Sequence, residues 1–342
     1  MNDGLVPTAE QAFSPLDERL GLTPYVQTTK RLEQFVCEVG VRLPYEQSAA
    51  VLATLVNVTV SGKQVTRIVD RHGQRAIEWR DEELEALWNA PSPLGLPPVG
   101  PDVLYIEADG SWVNSRERLT MEGKVGLVHQ GPERIGKNRM RLREATYVTT
   151  FQGSDRLGQE LYLEAERQGL EQAETVILLG DGANWIRTLH QEHFYDAIYV
   201  LDWFHLGREI RKAFRSAKAE LGPDYVAACR LTLRDLLWYG AVDWALERLA
   251  RWRGRLQGAD ARDALTNLMR YVRTNRDGMC YADLHEQGIH VGSGPIEKTA
   301  DLIINRRCEL RGMTWYRDTA DGMCNLRAIR FNDEARWATF WN

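Results

Sequence analysis

Three acidic residues far apart in the chain, Asp109, Asp181 and Glu297, have the types and local contexts that divalent-cation chemistry needs. Asp109 ends the apolar run Val-Leu-Tyr-Ile-Glu-Ala (103–108), which reads as a buried strand, and Gly110 follows it. Asp181 ends a second run, Thr-Val-Ile-Leu-Leu-Gly (175–180), again with a glycine after it. Glu297 opens a helix after Gly-Ser-Gly-Pro (292–295), with Pro295 at the first helical position. Carboxylates at strand ends and on a neighbouring helix can converge from distant parts of a sequence. Their hard oxygens suit Mg²⁺ or Mn²⁺ rather than zinc. Two such ions about 4 Å apart assist phosphodiester cleavage, one generating a hydroxide-like nucleophile and the other stabilising the leaving oxygen. Two carboxylates hold such a pair poorly, whereas a third lets one residue bridge both ions. Each acid alone has an ordinary explanation. Asp-Gly after a strand is a common turn, and a first-turn Glu favours the helix macrodipole. The joint arrangement points to a site.

Elements able to position this trio are legible around it. Residues 1–20 read as loosely ordered, and from about Thr29 to residue 90 the apolar spacing is helical. Within that stretch Tyr45-Glu-Gln-Ser-Ala-Ala-Val-Leu gives one helix, and 56–60 a turn. Ser61 then caps a second helix that carries Lys63, Gln64, Thr66 and Arg67. Helix, turn and capped polar helix form a helix-turn-helix candidate, expected as a DNA-binding domain over 1–95. The Pro-rich stretch 91–98 marks the boundary. Three strand-like runs follow, ending at Asp109, near Gly126–His129 and over Ala145–Phe151. Then come a helix at 155–169, the strand to Asp181, a helix at 183–194 and a strand at 197–201. Consecutive strands followed by alternating helix and strand predict an α/β sheet with an antiparallel edge. From Phe204 to about Tyr281 the pattern is helical without a strand.

Composition narrows the class. A chain of 342 residues with 44% hydrophobic content can build two or three cored domains. No signal peptide and no membrane span is legible, so a cytoplasmic, nucleoid-associated protein is expected. The five cysteines are scattered and show no C-x-x-C pair, which fits buried thiols in a reduced compartment and gives no zinc site. A net charge of −5 means that any nucleic-acid role must rest on local patches. Such patches are present: Arg134, Lys137, Arg139, Arg141 and Arg143; then Arg208, Arg211, Lys212 and Arg215; then Arg306, Arg307 and Arg311. Contacts of this kind to phosphates give salt-dependent binding. Trp238 and Trp244 are candidates for stacking on an unpaired base, although helix packing is the more common explanation of such tryptophans. Trp185 and Trp315 read as packing residues near the site.

Four blocks carry a family resemblance. Leu104-Tyr-Ile-Glu-Ala-Asp-Gly110, Gly180-Asp-Gly-Ala-Asn-Trp-Ile186, Val200-Leu-Asp-Trp-Phe-His-Leu206 and Gly292-Ser-Gly-Pro-Ile-Glu297 resemble, in order, those of bacterial insertion-sequence transposases with an Asp-Asp-Glu site. The ISLre and ISKra types look most similar. Arg306-Arg-Cys-Glu-Leu-Arg-Gly-Met-Thr-Trp315, then Asn325-Leu-Arg327, is similar to their C-terminal signature. The resemblance spans roughly residues 100–330. It implies a ribonuclease H-like catalytic core, a mixed five-stranded sheet flanked by helices, formed by 96–204 and 291–342 and interrupted by an all-helical insertion over 205–290. By matched position Asp109, Asp181 and Glu297 would be the catalytic ligands of two Mg²⁺ or Mn²⁺ ions. Asp202 and His205 would orient a carboxylate or contact the scissile phosphate. A cap at a helix start explains that pair equally well. Relatives of this kind often have a longer N-terminal region, sometimes with zinc-binding cysteines, so the reader of the element ends is expected to be reduced, absent or replaced here.

The expected activity is cleavage at element ends and joining of the freed 3′-OH to target DNA, by a homodimer or larger assembly. One rival is a non-catalytic DNA-binding protein descended from a transposase. Another is an unrelated α/β hydrolase using a single Asp, but the chain has neither a Gly-x-Ser-x-Gly elbow nor a Lys-bearing phosphate loop.

Overall fold

Apolar runs of six residues bounded by glycine and proline make short buried strands, and the 3.6-residue spacing elsewhere makes helices. The computed structural model describes residues 28–89, 100–137 and 139–342. Residues 1–20 and the Pro-rich stretch 91–98 lie outside the described residues. The chain divides into two compact units, one formed up to Trp79 together with Asp318–Asn342, the other by Arg80–Arg317.

The first unit is helical. It contains α1 (Lys30–Gly40), α2 (Tyr45–Val56) and the first part of α3 (Gly62–Asn89). Asn57, in the left-handed region at φ 54°, ends α2. Ser61 caps α3 as its sequence predicts: its Oγ accepts from the Gln64 amide at 3.2 Å, while Gln64 Oε1 accepts from the Ser61 amide at 2.8 Å. This reciprocal pair satisfies two donors that a helix start leaves open. The helix beyond it runs 28 residues. The core of the unit gathers Val36, Leu52, Val65 and Val69 with a C-terminal aromatic group, Trp337, Phe340 and Trp341, against which His72 and Trp79 pack.

The second unit is a mixed α/β structure. Its strands are β1 (Val103–Asn114), β2 (Thr120–His129), β3 (Pro132–Gly136), β4 (Arg139–Leu142), β5 (Thr146–Thr150), β6 (Thr175–Gly180) and β7 (Ile198–Leu201). Five of them form one sheet in the order β5-β2-β1-β6-β7. The β5-β2-β1 side is antiparallel, and β1, β6 and β7 run parallel. The helices α4 (Ser154–Arg167) and α5 (Asn184–His193) connect β5, β6 and β7. They cover one face, where Leu104, Ile106, Ala108 and Leu178 meet Leu157, Leu161, Ile186 and Leu189. On the other face Tyr105, Ile177 and Leu179 join a core supplied by five helices that follow β7. These are α6 (Trp203–Leu221), α7 (Pro223–Trp238), α8 (Val242–Arg253), α9 (Ala259–Thr274) and α10 (Tyr281–Glu286). Next comes α11 (Gly294–Ala300), which continues through a π-helical turn at Asp301–Asn305. The chain closes with α12 (Arg317–Asn332) and α13 (Glu334–Trp341).

Two sequence expectations need correction. Asp109 does not end its strand. Pairing to β6 stops at Glu107, but antiparallel pairing to β2 carries β1 on to Asn114. The cause is that Gly110 faces Lys124 inside a regular ladder, so the Asp-Gly pair is not a turn here. The basic stretch 134–143, read as a connection between strands, largely forms the separate hairpin β3–β4. Among the described residues all five cysteines are free, and no helix is long and apolar enough to cross a membrane.

Candidate active site

The parallel register places the two aspartates. Glu107 on β1 pairs with Leu179 on β6, and Asp109 and Asp181 each lie two residues further along. Alternation along a strand turns residues two apart to the same face. Both aspartates therefore share the face of Tyr105, Ile177 and Leu179, beneath which the helices after β7 pack. Asp181 Oδ1 accepts from the Ala183 amide at 2.8 Å, and its carbonyl accepts from the Tyr271 hydroxyl at 2.6 Å. Gly182 between them has φ 88°, a conformation that favours glycine. Asp109 Oδ1 accepts from the Gly110 amide at 2.8 Å.

Glu297 reaches the same neighbourhood because its helix is tied down at both ends. Asp202 caps α6, accepting from the amides of Phe204 and His205 at 3.1 and 2.8 Å. The same carboxylate also accepts from the Ser293 amide at 2.9 Å and the Ser293 hydroxyl at 2.6 Å. Glu107, buried within β1, accepts from the Ile296 amide at 3.2 Å through one oxygen and meets His129 Nε2 at 3.0 Å through the other. His129 Nδ1 accepts from the Gly131 amide at 2.9 Å, so Nε2 carries the proton and donates to Glu107. Beyond the helix, Ser111 donates to Asn305 at 2.6 Å, and Trp315 pairs with the end of β1.

The acids feel one another. Burial first, then the charges of Asp181 and Glu297, push the Asp109 carboxyl up to about 6, with Gly110 and Arg208 opposing. The carboxylates are near neighbours rather than a closed cage. Among the described residues, the group of acids and histidines whose ligand atoms all lie within 4.8 Å is Asp155, Glu192 and His193. That second group joins the start of α4 to the end of α5, with His193 Nε2 at 3.4 Å from Asp155 Oδ1. Asp155 and Glu192 are exposed, and three ligands of this kind could hold a divalent cation.

Around the acids the polar residues divide by partner. His205 Nδ1 accepts from Arg208 at 2.6 Å, and its ring lies 6.4 Å from that of Tyr271. Lys212 lies 3.6 Å from Glu209, and Arg306 donates to Asp301 at 2.7 Å. Arg211 and Arg311 are exposed, as are Lys63, Gln64 and Arg67 on α3 in the other unit. Arg134 bonds to the carbonyls of Gly136 and Lys137 within the hairpin, where Arg139 is also exposed. Arg307 is fully buried, its guanidinium 5.1 Å from the Trp315 ring centre, so it presents no charge at the surface. Trp238 packs into an aromatic group with Trp203, Tyr281 and His285, whereas Trp244 is exposed on α8. Lys124 stands 3.8 Å over the Trp185 ring and donates to Glu122 at 2.9 Å. A cleft of about 570 Å³ adjoins α11, with Phe204, Pro295, Lys298, His290 and Tyr147 in its walls.

Sequence reasoning did not single out Glu107, Ser293 or Tyr271. For Glu107 a signal existed, because a lone acid inside an apolar strand must find buried partners. For Ser293 and Tyr271 none did, since their partners lie 91 and 90 residues away.

The chain is 25% identical over 331 residues to the "UPF0236 protein in vanSb 3'region" of Streptococcus gallolyticus, an alignment covering 94% of this chain and 68% of that one. Residues 15–342 match UPF0236, described as an uncharacterised protein family, and the chain belongs to that family.

Proposed function

We propose that this protein is a DNA transposase of the Asp-Asp-Glu type, built on a ribonuclease H-like core with α6–α10 as an inserted helical domain. The observation that carries this reading is the shared placement of Asp109 and Asp181 by the β1–β6 register, with Glu297 brought alongside through Asp202 and Glu107. A sheet ordered β5-β2-β1-β6-β7, with its antiparallel strands on one side, agrees with that core.

The donor set fits Mg²⁺ or Mn²⁺: all three groups are carboxylates, and burial next to like charges leaves Asp109 in need of a positive neighbour. Asp109, Asp181 and Glu297 would hold two ions, which when bound supply an activated nucleophile and charge stabilisation at the leaving oxygen. The chain's own residues do the positioning. Asp202 and Glu107 set α11 against the sheet, and the Ala183 amide orients the Asp181 carboxylate. Arg208 offers positive charge beside Asp109. Exposed cations on α3, α6 and the β3–β4 hairpin would track the phosphates of element ends and target DNA, and paired ends call for a dimer or larger assembly. Arg307, being buried, is no part of that track.

The non-catalytic reading draws on the same geometry, because the three carboxylates are not gathered within 4.8 Å of one another. Incubation with element-end duplexes and Mg²⁺ or Mn²⁺ separates the two. The transposase reading predicts nicking and strand transfer that Asp181→Ala abolishes. Tight DNA binding without any metal-dependent cleavage would establish the non-catalytic alternative.

A further inference from the structure

Positive side chains on α6 and α7 differ in what they face. Arg208 is engaged by His205, and Lys212 has Glu209 beside it. Arg211, Arg230 and Arg234 have no acidic partner among the described residues, and all three line one pocket of about 220 Å³ between the two helices. Gly207 and Arg211 lie one turn apart on α6, while Ala227, Arg230, Leu231 and Arg234 follow one stripe of α7. The pocket wall is otherwise apolar, from Ile210, Leu231 and Ala227, so the arginine stems can pack while their guanidinium ends collect at the rim. A Cβ at Gly207 would lie 3.5 Å from Arg211 Nη1, so this guanidinium lies against bare helix backbone. The Arg234 guanidinium is 5.0 Å from the Trp203 ring centre, which holds it in place without occupying its donors. Three like charges lining one pocket repel, and no carboxylate among the described residues relieves them. A phosphate does, since its oxygens match the planar guanidinium fork.

We propose that the α6–α7 pocket is a phosphate socket that grips a backbone phosphate of nucleic acid at a distance from the acidic cluster. The assignment rests on the DNA-processing reading above and adds Arg230 and Arg234 to its contact surface. Arg208, whose charge reaches Asp109, lies one turn before Arg211 on α6, so positive charge continues from the acidic cluster to the socket. The helix that carries it is capped by Asp202, which also anchors the loop before Glu297. A strand held in the socket is therefore held in a set relation to the carboxylates.

The test is fluorescence anisotropy of duplex DNA binding over a range of KCl concentrations. It compares the wild-type protein with the Arg230→Gln/Arg234→Gln double variant and with Arg262→Gln, an exposed change elsewhere, on α9. The socket predicts that the double variant lowers the slope of log affinity against log salt by about 1 and weakens binding about 10-fold or more, equally for unrelated sequences. Arg262→Gln keeps the wild-type slope, and the melting temperature of the double variant does not fall. Wild-type binding with a slope the double variant retains would overturn the socket while leaving the DNA reading intact. No DNA binding by the wild type at any salt concentration would overturn the DNA reading itself, and the socket with it. Inorganic phosphate or pyrophosphate is added in a parallel melting experiment. Stabilisation of the wild type alone, with unchanged DNA slopes, would mark a site for free anions and overturn the nucleic-acid assignment.

Discussion

Residue by residue, the carboxylates have surroundings that pull in opposite directions. Asp109 sits beside two like charges in a partly buried place, and its carboxyl is held near 6. Removing its charge should therefore relieve the ion-free fold. Asp109→Asn is expected to stabilise the metal-free protein at pH 7.5 by up to about 2–3 kcal/mol in urea unfolding, while abolishing cleavage. Destabilisation by this substitution would mean that the crowding is not felt. Glu33 shows the reverse balance. Burial raises its pKa, but hydrogen bonds from His72, Thr28 and Arg71 outweigh burial and hold the carboxyl at about 2, below its ordinary 4.5. A depressed pKa means stability that is fully present above pH 4.5 and lost as pH falls toward 2. Glu33→Gln should cost about 1–2 kcal/mol at pH 7, since solvent screens part of the interaction, and flatten the stability curve between those limits, read from urea midpoints at several pH values.

At the scale of elements, α11 is placed by groups that themselves do no chemistry. Asp202 makes four hydrogen bonds that join the start of α6 to the loop before Glu297. Asp202→Ala is expected to cost at least about 2 kcal/mol, since a lost helix cap and unpaired buried donors add. Hydrogen exchange should rise at 291–299 while the sheet stays protected. Equal protection there would show that α11 is held by something else. In the helical unit, α3 and α12 cross with their backbones in contact, for a Cβ at Gly322 would lie 2.9 Å from the Gly73 carbonyl carbon. Gly322→Ala should cost about 1–3 kcal/mol in the unfolding of that unit, as overpacking does. Nothing in the sequence announces this crossing, because a helical glycine looks the same whether it faces water or another backbone. The strands and helices themselves were legible from spacing, and the Ser61 cap from its Gln three residues on. The hairpin β3–β4 was not, because Arg134, Arg139 and Arg141 hide strand alternation behind charge. Nor was the extension of β1 past Asp109, since Asp-Gly reads locally as a turn and the pairing partner that decides otherwise is β2.

At the scale of the whole molecule, Asp109, Asp181 and Glu297 stand out in the sequence as candidates because each ends an apolar run or opens a helix. How they are held was not, because the contacts that bring α11 to the sheet join residues 91 and 189 positions apart. The aromatic residues show the same limit: of the stacking candidates Trp238 packs into an aromatic group and Trp244 is exposed, while Phe204, which the sequence does not single out, is 62% exposed beside the cleft at α11. The central claim is that Asp109, Asp181 and Glu297 jointly hold divalent cations. Anomalous scattering at the manganese edge, from crystals grown with element-end DNA and Mn²⁺, tests it most directly. Two peaks are expected, each within about 2.1 Å of carboxylate oxygens from this trio. Manganese only at Asp155, Glu192 and His193, with Glu297 turned away from the aspartates, would contradict it.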